Sequence, residues 1–240
     1  MKKLIPIYLL VFSLLSCKAQ DISQPTFDQN AYLNALKNEL GIRWPDNRTI
    51  NLVFHGHSVP SGYAQTPIVN TLGAYPYQVL KKLKEHYPFA VINTITTAIG
   101  GENSVQGAAR FEQDVLIHKP DVIFIDYALN DRGVGLEAAK IAWTKMIEAA
   151  LKAHVKIVLL TPSPDLSENI LVQDTPLSQH TAQIMALGKQ YQIPVVNSFA
   201  IFKNIALNGG TLSNFMAQSN HPNAQGHNLI ADEILKLFQN

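Results

Sequence analysis

The run Asp121–Tyr127 (DVIFIDY) constrains the fold of this chain most. Its apolar residues fill both alternating sets of side-chain positions, so a strand made from it needs cover on two faces. Lys156–Leu160 (KIVLL) has the same character, Asn51–Phe54 and Ala90–Ile95 are shorter apolar runs, and Pro194–Val196 opens a fifth. Helical patterns lie between them. Val79, Leu80 and Leu83 mark a helix over Tyr75–Tyr87, and a stripe from Ala139 through Trp143, Met146, Ile147 and Ala150 marks another over Leu136–Leu151. Helices are also expected over Ser104–Ile117, Pro176–Tyr191 and Ala224–Phe238, with an outer one at Tyr32–Leu40. Strands alternating with helices give parallel βαβ units with right-handed crossovers, hence an α/β fold with a mostly parallel sheet.

Composition narrows the function. Hydrophobic residues make up 47% of 240, and 19 basic residues face 18 acidic ones. Disorder and a basic nucleic-acid footprint are both excluded. A single cysteine rules out an internal disulfide and a cysteine-rich zinc site. That cysteine, Cys17, ends a secretory-type leader: Lys2-Lys3, an apolar run from Leu4 to Leu15, then Ser16. Leu14-Leu15-Ser16-Cys17 resembles a bacterial lipobox, which implies a lipidated Cys17 and a place in the cell envelope, periplasmic or on the outer-membrane surface. The expected organisation is a signal peptide over 1–16, a polar tether over 17–30 and a single domain over 31–240.

In open parallel sheets, ligands bind beyond the carboxyl ends of the strands. Four chemistry-bearing segments fall there or just before the last helix. Gly56-His57-Ser58 follows the first strand and presents a hydroxyl, which needs a base to become a nucleophile. Gly100-Gly101 follows the second, where a backbone N–H can approach a developing oxyanion. Asn130-Asp131 follows the third and offers a side-chain amide donor. Asn220-His221-Pro222 precedes the final helix, and its imidazole is suited to carry the serine proton.

Other residues invite rival readings. His55 and His57, spaced i and i+2, can open a metallohydrolase site completed by Asp126 or Asp131. Asp131 is expected to pair with Arg132 or Arg110, His227 to lie at the surface or cap a helix, and Trp44 and Trp143 to pack. Tyr63 either walls a pocket or packs.

The four blocks resemble the SGNH/GDSL hydrolase family over most of residues 48–238. Gly56-His57-Ser58 stands for its Gly-Asp-Ser, with Gly107 and Arg110 at the later positions of the Gly101 block. Ala128-Leu129-Asn130-Asp131 stands for Gly-x-Asn-Asp, and Gln218-Ser219-Asn220-His221 for Asp-x-x-His. The resemblance implies a flavodoxin-like three-layer α/β/α domain with a five-stranded sheet, the SGNH hydrolase fold. It implies Ser58 and His221 as catalytic residues and Ser58, Gly101 and Asn130 as the oxyanion hole. No cofactor or metal is needed. Small acyl groups, acetyl above all, on carbohydrate or similar esters are the substrates it suggests, with acyl transfer to a sugar as a variant. The missing acid leaves three readings: a dyad oriented by Gln218 or a backbone carbonyl, charge supplied by Asp165 or Glu102, or a non-catalytic glycan- or acyl-binding protein.

Overall fold

The computed structural model describes residues 27–239; the signal peptide, Cys17 and most of the tether lie outside them. Five parallel strands run in the order β2-β1-β3-β4-β5, with β1 Thr49–Gly56, β2 Val91–Thr96, β3 Val122–Asp126, β4 Lys156–Leu160 and β5 Val195–Val196. Alternation along each strand sorts the core into two layers. Leu52, Phe54, Phe124 and Leu160 face α1 (Asn34–Leu40), α3 (Tyr75–His86), α7 (Ser198–Leu207) and α8 (Ala224–Lys236). Val53, Ile123, Ile125 and Leu159 face α4 (Ser104–Asp114), α5 (Gly135–Lys152) and α6 (Pro176–Tyr191). The three-layer α/β/α architecture is the one expected.

Helix ends follow local chemistry. The Thr175 hydroxyl accepts from Ser178 N, and Pro176 starts α6, where its missing N–H costs nothing. Asn103 and Gln106 close a capping box on α4. Asn223 caps α8 through Gln225 and Gly226.

Several expectations need correcting. Residues 27–30, assigned to the tether, lie against the domain: Phe27 packs edge-on to Tyr32, and the Gln29 side chain accepts from Val195 N at 3.1 Å. Trp44 does not pack; it is 84% exposed. The segment 198–222 carries elements the periodicity did not reveal: α7, then a hairpin of β6 (Met216–Gln218) and β7 (His221–Pro222). That hairpin folds His221 back over the carboxyl end of the sheet.

Candidate active site

Ser58 opens a single helical turn, α2 (Ser58–Ser61), directly beyond β1. The turn sits so close to β3 that a Cβ on Gly56 would lie 2.4 Å from the Asp126 carbonyl oxygen, so glycine is required before it. Gly62 closes the turn at φ +90°, in left-handed backbone that favours glycine. As the first residue of a turn, Ser58 has a backbone N–H without an intrahelical acceptor.

His221 Nε2 lies 2.9 Å from Ser58 Oγ, and both residues are buried. His221 Nδ1 lies 3.0 Å from the Ala64 carbonyl oxygen. A carbonyl only accepts, so Nδ1 carries the proton and Nε2 is free to accept from the serine. Burial pushes the imidazole below its ordinary pKa, the Ala64 carbonyl pulls the other way, and nearby His57 adds to the lowering.

Gln218 is therefore not the orienter of His221. Its Oε1 accepts from Thr66 N at 3.1 Å and from Thr66 Oγ1 at 3.2 Å, while its Nε2 donates to Asn220 Oδ1. It fastens the loop that carries Ala64. That loop is itself a small hairpin, closed by Ala64 N to Ile68 O, by Asn70 N to Gly62 O and by a Tyr63–Val69 bridge. Asp165 and Glu102 supply no charge to the imidazole either. Asp165 holds Arg132 at 2.8 Å, and Glu102 forms a bidentate pair with Arg110.

Gly101 has φ +83° with open space around it, and its N–H makes no hydrogen bond among the described residues. Asn130 Nδ2 donates to the Glu102 carbonyl at 2.8 Å, which ties the asparagine to the glycine loop and leaves its second amide hydrogen available. Tyr63 lies against this cleft, its ring 6.0 Å from that of His221 and its far end in contact with Gly100.

Asp131 pairs with neither arginine. It accepts from Ser104 N and Trp143 Nε1, each at 2.7 Å, and so joins the start of α4 to α5. Arg110 bonds Glu102, Asp114 and the Thr97 carbonyl. His55 and His57 diverge. His55 reaches Thr97 Oγ1, the Gly107 carbonyl and Tyr127 Oη, and burial followed by Arg110 lowers its pKa to about 3. His57 accepts from Val59 N and faces Asp126 instead. Among the described residues no group of three or more His, Cys, Asp or Glu could hold a metal ion, so the two-histidine metal site has no shell to complete it. His227 is not at the surface. It is buried, accepts from Tyr75 N at 3.2 Å, and has its pKa lowered to about 3 by burial and then by His221. The sequence sets Asp126 with His57 only as a metal shell; their direct side-chain contact, and the part of Tyr75 in it, have no signal in the sequence.

A serine–histidine pair and free amide donors thus stand together beyond the carboxyl edge of a parallel sheet. The chain belongs to the GDSL-like lipase/acylhydrolase family, whose model matches residues 54–229. No curated protein matches the sequence. Solved structures share the fold. A two-domain esterase active on acetylated mannans superposes with TM-score 0.71 at 21% identity, over 86% of this chain and 52% of that one. The chain thus spans about half the length of that esterase, which has also been crystallised with mannopentaose. An acetylxylan esterase from Geobacillus stearothermophilus gives TM-score 0.68 at 23% identity, over 80% of this chain and 94% of that one. Two structures of the latter are of catalytic mutants, one with a serine and one with an aspartate replaced by alanine.

Proposed function

We propose that this protein is a serine ester hydrolase that removes small acyl groups, acetyl above all, from carbohydrate esters through an acyl-enzyme on Ser58. The observation that carries the reading is the Ser58–His221 contact at 2.9 Å with the imidazole proton held on the far nitrogen by Ala64. As Oγ attacks the ester carbonyl, its proton passes to Nε2. The oxyanion takes hydrogen bonds from the N–H groups of Ser58 and Gly101 and from Asn130 Nδ2. Collapse expels the sugar alkoxide, which takes the proton back from His221. A water then gives its proton to His221 and attacks the acyl carbon, and the second collapse releases the carboxylic acid and the Ser58 alkoxide, which takes the proton back from His221.

The absent acid costs less here than in a serine protease, where an aspartate-to-asparagine change lowers kcat by about 10⁴ through the wrong tautomer. The Ala64 carbonyl selects the right tautomer, and only the full negative charge is missing. Acetyl as the acyl group and a glycan as the alcohol are supported by the acetylated mannans and acetylxylan of the fold neighbours. Cys17 and its leader support a lipid-anchored place in the cell envelope.

The test is covalent labelling with a fluorophosphonate, together with acetate release from acetylated xylo- and manno-oligosaccharides. Labelling on Ser58 and turnover that both vanish in Ser58→Ala are expected. A folded protein that binds such oligosaccharides but neither labels nor turns over would overturn the reading in favour of a binding protein.

A further inference from the structure

Beneath the nucleophile lies a buried polar group that the reaction above does not use. Asp126, the last residue of β3, is 3% exposed, and His57, the first beyond β1, is 1% exposed. The two ladders bring them together: Gly56 is in register with Asp126, and His57 N donates to the Asp126 carbonyl at 3.3 Å. Their side chains face each other, His57 Nε2 to Asp126 Oδ1 at 3.4 Å, and neither atom has another partner among the described residues. The second carboxylate oxygen accepts from Tyr75 Oη at 3.1 Å.

The other side of the His57 ring faces the nucleophile. Nδ1 accepts from Val59 N at 3.2 Å, capping the turn whose first residue is Ser58. That cap exists only while Nδ1 is unprotonated. A buried carboxylate opposite Nε2 favours the tautomer with its proton there, the one that leaves Nδ1 free to accept. The family motif has an aspartate at position 57, a good cap by itself; here a histidine caps, and the carboxylate stands one strand away.

We infer that Asp126, acting through His57, is a positioning residue for Ser58: the carboxylate fixes the His57 tautomer, and that tautomer holds the turn aiming the serine hydroxyl at His221. This rests on Ser58 being the nucleophile. Neither His57 nor Asp126 exchanges a proton with substrate.

The test exchanges the two chemistries. Second-order fluorophosphonate labelling rates, kcat and KM on a nitrophenyl acetate, and melting temperatures are measured for wild type, Asp126→Asn, His57→Asp and the double variant. His57→Asp alone sets two buried carboxylates against each other, and a loss of roughly 10²-fold in labelling rate is expected. Asp126→Asn alone is expected to lose about tenfold, in kcat and not in KM. In the double variant a carboxylate at 57 caps Val59 and the amide at 126 faces it, so the rate is expected to return to within about tenfold of wild type. That variant also brings negative charge closer to His221, so the acid limb of its rate profile is expected to move to higher pH. That shift follows from the new charge alone; the readout a merely structural role would not produce is the loss in kcat at unchanged KM in Asp126→Asn.

The inference is overturned if the double variant is no faster than His57→Asp. Should His57→Asp not fold, Asp126→Asn labelling at the wild-type rate overturns it instead. Failure of wild type to label at all would sink the esterase reading, a separate outcome.

Discussion

Ser58 and His221 stand 163 positions apart in the chain and 2.9 Å apart in space, held by a strand end on one side and a two-strand hairpin on the other. Ser58→Ala and His221→Ala each remove one partner of this contact. Each is expected to lower kcat/KM on an acetyl ester by about 10³-fold or more, with the melting temperature within a few degrees of wild type. A residual rate within tenfold of wild type in either variant would contradict the assignment.

The pH profile follows from the surroundings of His221. Burial outweighs the Ala64 carbonyl and holds its pKa below the ordinary 6.5, so the base stays neutral to lower pH. The acid limb of kcat/KM, which reports the free enzyme, is expected to have its midpoint below 6.5. A midpoint above 6.5 would mean that a carboxylate reaches the imidazole, against the geometry.

Gln218 acts on the imidazole only through the loop that presents Ala64. Gln218→Ala deletes two hydrogen bonds to Thr66, each contributing about 0.5–1.5 kcal/mol. Turnover is expected to fall roughly tenfold, mostly in kcat, as the carbonyl loses its fixed position. Steady-state kinetics with the wild-type KM retained would bear this out, and unchanged kcat would refute it.

Two buried histidines set the acid stability. His55 and His227 have pKa values near 3 in the folded protein against an ordinary 6.5, so the unfolded chain binds more protons between those limits. Unfolding free energy is expected to fall as pH drops through that window, by roughly 1.4 kcal/mol per pH unit for each group. Urea unfolding at pH 7, 5.5 and 4 measures the slope. A flat profile would mean that neither histidine is buried neutral.

Much of this was legible in the sequence. Strands apolar on both faces announced a covered parallel sheet, and the helix expected over Pro176–Tyr191 is α6 with those bounds, because helical patterning is local. Ser58 and His221 were found because strand ends and helix starts are where such a sheet presents side chains. What stayed hidden depended on partners distant in sequence. A backbone carbonyl is among the expected orienters of His221, but which one has no sequence signal, because any residue at position 64 supplies it. The burial of His227 follows from α8 packing on α3, and the His57–Asp126 contact from a register that exists only once β1 and β3 pair. Asp131 found Trp143 and not an arginine because α5 packs on α4 and brings Trp143 beside its start. The short α7 has too little polar contrast to show a face.

A main-chain oxygen in the place of an acidic side chain changes how this site can vary. No single substitution deletes the Ala64 carbonyl, and no proton titrates it in the working range. Mutational drift at position 64 is therefore buffered, whereas gaining or losing one residue in the 62–70 hairpin would swing the oxygen away at once. Length, not identity, is the vulnerable property of that loop.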